Sequence, residues 1–258
     1  MSVQRIPAQV AKKLRRLLLL CGAAALALPG IASAATVQYS LADLLAGGNT
    51  SGGFTIGDKH YGDFTFSSTG QAPLTPSGVN VRVTSSDTNA TVPGDDTYTI
   101  QFTFGLDAFP GERNDLVVGY RVDVTDAAMR INNVGLRFNG SVPSQGPGDG
   151  AATVIETVRS ADGSDVAPGA PVSDTAVLDV FNDGPGGGTD RNSSSLEVNP
   201  TRSLIFTKDI LVSSRTGSGD YVAISLVDNI VNQVPVPEPT TLGLAAFAGA
   251  GLLLRRRR

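Results

Sequence analysis

Tyr98-Thr99-Ile100-Gln101-Phe102-Thr103-Phe104 decides the fold of this chain. Its residues alternate apolar and polar at period two. Side chains of an extended strand point to opposite faces in turn. Tyr98, Ile100, Phe102 and Phe104 therefore fall on a core side, and Thr99, Gln101 and Thr103 on a water side. The same pattern recurs outward in both directions. Val79, Val81 and Val83 alternate with Asn80, Arg82 and Thr84, and Tyr120, Val122 and Val124 with Arg121, Asp123 and Thr125. Further strands are predicted at 131–138, 152–159, 175–181, 203–212 and 221–228. The Val and Thr content agrees, because β-branched side chains fit a pleated surface. Phe54-Thr55-Ile56 and Phe64-Thr65-Phe66 read as a hairpin pair, with Gly57, Asp58, His60 and Gly62 in the connection.

Turn signals separate these runs, among them Pro93-Gly94-Asp95-Asp96, Pro110-Gly111 and Asp162-Gly163. Many short strands joined by Gly, Pro and Asp turns predict an all-β body, an antiparallel β-sandwich or jelly-roll-like fold. No linker or long repeat divides it, so 35–234 reads as one domain. Leu41–Leu45 is the only helical stretch of the body, one turn capped by Ser40. Gly140–Gly150 and Gly184–Asp190 read as surface loops.

Charge is distributed unevenly. Nine of the 20 Lys and Arg lie in residues 1–34 and 240–258, which hold no acid. The middle keeps 11 bases against all 24 acids, a net of −13. Such an acidic body repels phosphate backbones, which argues against nucleic acid as a partner. The one cysteine, Cys21, lies near the N-terminus, so the body has no thiol for a disulfide or a catalytic nucleophile.

Both basic ends adjoin apolar runs. Residues 1–16 carry Arg5, Lys12, Lys13, Arg15 and Arg16, and Leu17–Leu28 follows as an apolar core. That core extends about 18 Å as a helix, short of a ~30 Å hydrocarbon layer. Pro29 and Gly30 break it, and Ala32-Ser33-Ala34 offers small residues to a signal peptidase. A signal peptide over 1–34 is expected, cut between Ala34 and Ala35 after handling by the export machinery. At the other end Val236-Pro237-Glu238-Pro239 precedes Thr240–Leu254, which has no charge, and Arg255, Arg256, Arg257 and Arg258 close the chain. The two prolines hold the backbone extended. The apolar run reads as a short transmembrane helix of about 22 Å, with its arginines on the cytoplasmic side.

The order of motif, short helix and arginine cluster over 235–258 resembles the PEP-CTERM sorting signal of Gram-negative, matrix-producing bacteria. The resemblance implies recognition by a transpeptidase-like membrane enzyme, an exosortase, acting near the motif. It also implies transient anchoring in the inner membrane with the body in the periplasm, then passage to the cell surface or extracellular matrix. Ala42–Gly48, Gly53–Lys59, Ser203-Leu204 and Thr207–Ile210 resemble segments of one subgroup of these proteins, for which no activity is implied.

Little in the body points to catalysis. His60 is the only histidine, and no Gly-x-Ser-x-Gly elbow occurs. The expectation is a non-enzymatic exported protein without a cofactor. The alternative is a polysaccharide- or calcium-binding module, and a hydrolase acting on matrix material is the third reading. For calcium, Asp162 with Asp165, and Asp183 with Asp190, place hard oxygens in turns, though no EF-hand pattern is present. For extracellular polysaccharide, Tyr39 and Tyr61 are the candidates for an exposed aromatic platform, since there is no Trp.

Overall fold

The computed structural model describes residues 35–47, 53–87, 96–142, 150–166, 175–184, 190–216 and 221–236. The predicted signal helix and membrane helix fall on 1–34 and 240–254, outside the described residues. Among the described residues no helix is long and apolar enough to cross a membrane.

Twelve strands alternate between two six-stranded antiparallel sheets. The first sheet contains β1 (Ala35–Ser40), β4 (Asn80–Asp87), β5 (Asp96–Ala108), β12 (Val222–Pro235), β7 (Met129–Phe138) and β10 (Ser193–Thr201), in that spatial order. The second contains β2 (Phe54–Ile56), β3 (Lys59–Gly70), β6 (Arg113–Val124), β11 (Ser203–Ser214), β8 (Gly150–Ser160) and β9 (Thr175–Asn182). The chain crosses from sheet to sheet after β1, β3, β5, β6, β7, β9, β10 and β11. The body is thus all-β, two antiparallel sheets consistent with a β-sandwich.

The inner faces are the ones the alternation marks. Tyr98, Ile100, Phe102 and Phe104 are buried, while Thr99, Gln101 and Thr103 lie half-buried on the outer face. Tyr120 is the hub of the aromatic packing. Its ring centroid lies 5.0 Å from Phe206, 5.5 Å from Phe102 and 6.0 Å from Phe64, so the two sheets meet through it. Helix α1 (Leu41–Ala46) forms where predicted: Ser40 Oγ accepts the Asp43 N–H at 3.1 Å. Leu41 and Leu44 turn inward, closing one end of the core.

Three sequence expectations change. Phe54–Ile56 does not pair with Phe64–Phe66: Ile56 lies opposite Lys59 and Phe54 opposite Tyr61. The turn is only Gly57-Asp58, and Gly57 has φ +58°, a conformation glycine adopts freely. His60 therefore sits within β3 rather than in a turn, facing Thr55, with Thr55 Oγ1 and His60 Nδ1 3.2 Å apart. Two strands, β1 and β10, form where no alternation marks them. Both are sheet edges. The run Ser193–Thr201 carries three serines and Pro200, and an edge tolerates a proline because one side of the strand needs no donor.

Phe102→Ala is expected to destabilise the fold by about 3–5 kcal/mol, and Thr99→Ala by less than about 1 kcal/mol. Urea denaturation of the two variants checks this assignment of inner and outer faces. Equal costs would contradict it.

Candidate functional site

The predicted site residues do not converge. Asp162 builds a turn: its Oδ1 accepts from Ser160 Oγ at 2.5 Å and from the Ser164 N–H at 3.0 Å. These bonds favour the carboxylate, Ser160's first, and hold Asp162 down at about 2. Asp165 is half-buried, and its backbone carbonyl accepts from Asn199 Nδ2 at 2.9 Å. Asp183 is half-buried near the end of β9, and Asp190 is exposed. Among the described residues no three His, Cys, Asp or Glu side chains gather as a metal site. Tyr61 is fully buried, which removes it as an exposed platform. Among the described residues its hydroxyl has no hydrogen-bond partner, and burial, with Tyr98 and Asp58 adding, raises the phenol's pKa. Tyr39 is 36% exposed and packs 4.8 Å from Phe54.

Two other arrangements stand out, and neither was named from the sequence. The first is a groove of about 450 Å³ on the outer face of the first sheet. Register brings its side chains together. Thr97 of β5, Asn232 of β12 and Asn133 of β7 form one cross-strand row, and Ile230 lies opposite Gly135 in the next. Thr97 Oγ1 donates to Asn232 Oδ1 at 3.0 Å, and Asn232 Nδ2 donates to Asn133 Oδ1 at 3.2 Å. Gly135 carries no side chain, leaving an open floor between Ile230 and Ser195. Arg137, exposed at one end, lies opposite Asp228, whose Oδ1 accepts from Gln101 Nε2 at 3.0 Å. The groove presents amides, hydroxyls and one guanidinium.

The second lies between the sheets. Lys208 of β11 and Glu156 of β8 are opposite one another, and both are 0% exposed. Lys208 Nζ donates to Glu156 Oε2 and to Asn229 Oδ1 of β12. Asn229 Nδ2 donates to Glu156 Oε1 at 2.7 Å and to the Gly135 carbonyl at 3.2 Å. Tyr120 OH donates to Asn229 Oδ1 at 2.9 Å. Burial pushes the Lys208 ammonium below its ordinary value, against the pull of Glu156, and burial raises the Tyr120 phenol. A parallel cluster lies further along β12. Lys59 Nζ donates to Gln233 Oε1 and, at 2.5 Å, to Asp58 Oδ1. It also stands 4.5 Å from the Tyr98 ring centroid, and Tyr98 OH donates to Asp58 at 2.8 Å. The signal for these clusters was present: Lys208 falls in register with Phe206 and Ile210, Glu156 with Val154 and Val158, and Asn229 with Val227 and Val231.

The predicted sorting segment begins inside the fold. Pro235 ends β12 opposite Met129, and the Val236 N–H donates to the Ala128 carbonyl at 2.6 Å. Pro237, Glu238, Pro239 and the four terminal arginines lie outside the described residues, as do Ala32 and Ala34; Ala35 opens β1 opposite Ser85. Residues 235–258 match the family model of the PEP-CTERM protein-sorting motif. The chain carries a PEP-CTERM sorting motif. No curated protein matches it. Among solved structures, TmCBM61 in complex with β-1,4-galactotriose matches at 12% identity, over 66% of this chain and 88% of that one, with a TM-score of 0.29. A loop-swap mutant of Necallimastix patriciarum Xyn11A matches at 7% identity, over 79% and 100%, with a TM-score of 0.24. A family 29 carbohydrate-binding module matches at 11% identity, over 69% and 97%, with a TM-score of 0.19. At such scores these likenesses carry nothing about ligand or activity. The PEP-CTERM motif implies recognition by an exosortase, and hence an exported protein held for a time at the membrane.

The Asp162 carboxyl of this chain, which carries the PEP-CTERM motif, is expected to titrate near pH 2 in a carboxyl-detected NMR series, and Ser160→Ala should move it up toward the ordinary ~3.9. A depressed folded value means that the turn's contribution to stability is complete above the ordinary Asp value and is lost as pH falls through about 2.

Proposed function

We propose that the protein is a non-enzymatic component of the cell surface or extracellular matrix. It is exported by its leader, held by its tail with the body in the periplasm, and processed by an exosortase-type enzyme near Pro237-Glu238-Pro239. The observation that carries this reading is the match of 235–258 to the PEP-CTERM sorting motif. The acidic, cysteine-free body supports it, because a released surface protein benefits from a charged, soluble exterior.

Replacing Pro237, Glu238 and Pro239 together by alanine tests the address. The variant should accumulate in the host's membrane fraction at full tail length, and the parent should be recovered without residues 240–258. Equal release of both, with intact tails, would defeat the proposal. Fractionation with mass spectrometry of the C-terminal peptide gives the readout.

A second reading is favoured by the groove on the first sheet. Amides and hydroxyls fixed by one another at Thr97, Asn232 and Asn133 match the alternating donors and acceptors of sugar hydroxyls. Arg137 adds the one cation suited to an acidic sugar. On this reading the body binds matrix polysaccharide through that face. Arg137→Ala should weaken retardation in affinity electrophoresis against the host's polysaccharide about tenfold, the scale of one charge-assisted hydrogen bond. Unretarded migration of the parent protein would dismiss this reading and leave the sorting assignment untouched.

A further inference from the structure

The cluster between the sheets holds more chemistry than an ion pair requires. A lysine amine, a carboxamide and a carboxyl group are each fully buried. The carboxyl touches both of the others, one oxygen on each: Oε2 of Glu156 on Lys208 Nζ, and Oε1 on Asn229 Nδ2. Tyr120 OH is aimed at Asn229 Oδ1, the oxygen that would take negative charge if a nucleophile added to Cγ. The Gly135 carbonyl accepts from the same carboxamide and fixes its plane.

We propose that Lys208 and Asn229 condense within the folded chain to an amide cross-link between β11 and β12, with Glu156 as the proton relay. The Lys208 ammonium first passes a proton to Glu156, leaving a neutral amine. The contact between Nζ and Oε2 gives that proton a direct path, and burial disfavours the charged lysine. The Nζ lone pair then forms a bond to Cγ of Asn229, and Oδ1 takes the charge under the Tyr120 hydroxyl. Glu156 delivers its proton to Nδ2 and collects one from the incoming nitrogen. The Cγ–Nδ2 bond breaks and ammonia leaves. Of the two protons lost by the ammonium, one departs in ammonia and one stays on Glu156. Nothing is oxidised or reduced, and no co-reactant is needed.

The second lysine cluster shows what the first has in addition. Asp58 bonds Lys59 and Tyr98 through one oxygen, and its other oxygen is buried without a partner among the described residues. There the lysine nitrogen stands over an aromatic ring, 4.5 Å from the Tyr98 centroid, and meets the oxygen of the Gln233 amide. The arrangement at Lys208 joins amine, amide, relay and oxyanion donor in one place. It also bridges the sheets: Lys208 and Glu156 belong to the second, Asn229 to the first. A body with no cysteine would thereby gain a covalent tie across its core.

The test is peptide mapping of the full-length protein, unfolded in denaturant before digestion with trypsin and a glutamate-specific protease. The expected product is a branched species, Ser203–Arg215 joined through Lys208 to the peptide holding Asn229. It should be about 17 Da lighter than its two parts together, the mass of the ammonia that leaves. Trypsin should fail to cut after Lys208. A buried ion pair alone would let denaturant free Lys208 for cleavage. A folded parent giving only linear peptides cut after Lys208 overturns the proposal, as does a loss of about 17 Da confined to one linear peptide, the signature of an internal succinimide. Glu156→Gln, shown to be folded by circular dichroism, should reduce the branched yield at least tenfold, within the range for loss of a general acid–base group. Undiminished branching in that variant overturns the relay.

Discussion

Two lysine side chains enclosed between the sheets set the terms for the rest of this sandwich. Lys59 and Lys208 are both 0% exposed, and each turns its nitrogen toward an amide on the inner face of β12, Gln233 or Asn229. Removing an ammonium from water costs several kcal/mol unless a carboxylate and further hydrogen bonds replace the lost solvent. Asp58 and Glu156 supply the carboxylates. The arrangement also constrains register. A one-residue slip of β11 would turn Lys208 outward and leave Glu156 facing an apolar row, with Asn229 missing a partner. Valine and phenylalanine rows alone would tolerate many relative placements of two sheets. These buried polar contacts favour one.

The alternation of apolar and polar residues made most strands legible, because a half-buried strand writes its two environments into successive residues. It failed where that contrast is absent. In β10, Ser193 and Ser195 are exposed and Ser194 is half-buried, so serine stands on both faces and the sequence shows no contrast there. In β3 the obstacle was different. His60 reads as a turn residue, yet Lys59 before it is buried at the start of a strand, where Gln233 and Asp58 receive its hydrogen bonds. Tyr61 follows Lys59 inward by the same period. A polar residue in an otherwise apolar row was the overlooked sign in both lysine clusters. The groove, in contrast, is a product of register across β5, β12, β7 and β10. Only pairing brings Thr97, Asn232 and Asn133 into one row, and no local pattern announces it.

Strand β12 joins these features to the sorting tail. It lies between β5 and β7, so the first sheet is continuous only when this last strand is in place. Its outer face forms part of the groove through Ile230 and Asn232, and its inner face carries Asn229 and Gln233. It then runs without a spacer into the motif, with Pro235 still opposite Met129 and the Val236 N–H still bonded to Ala128. Any pull on a tail held at the membrane acts first along β12. That strand resists sliding better than an edge strand would, since it bears ladders of hydrogen bonds on both sides. Its two amides add contacts from the facing sheet through Lys208 and Lys59. The segment that carries the address is thus tethered to a strand held by neighbours on both sides.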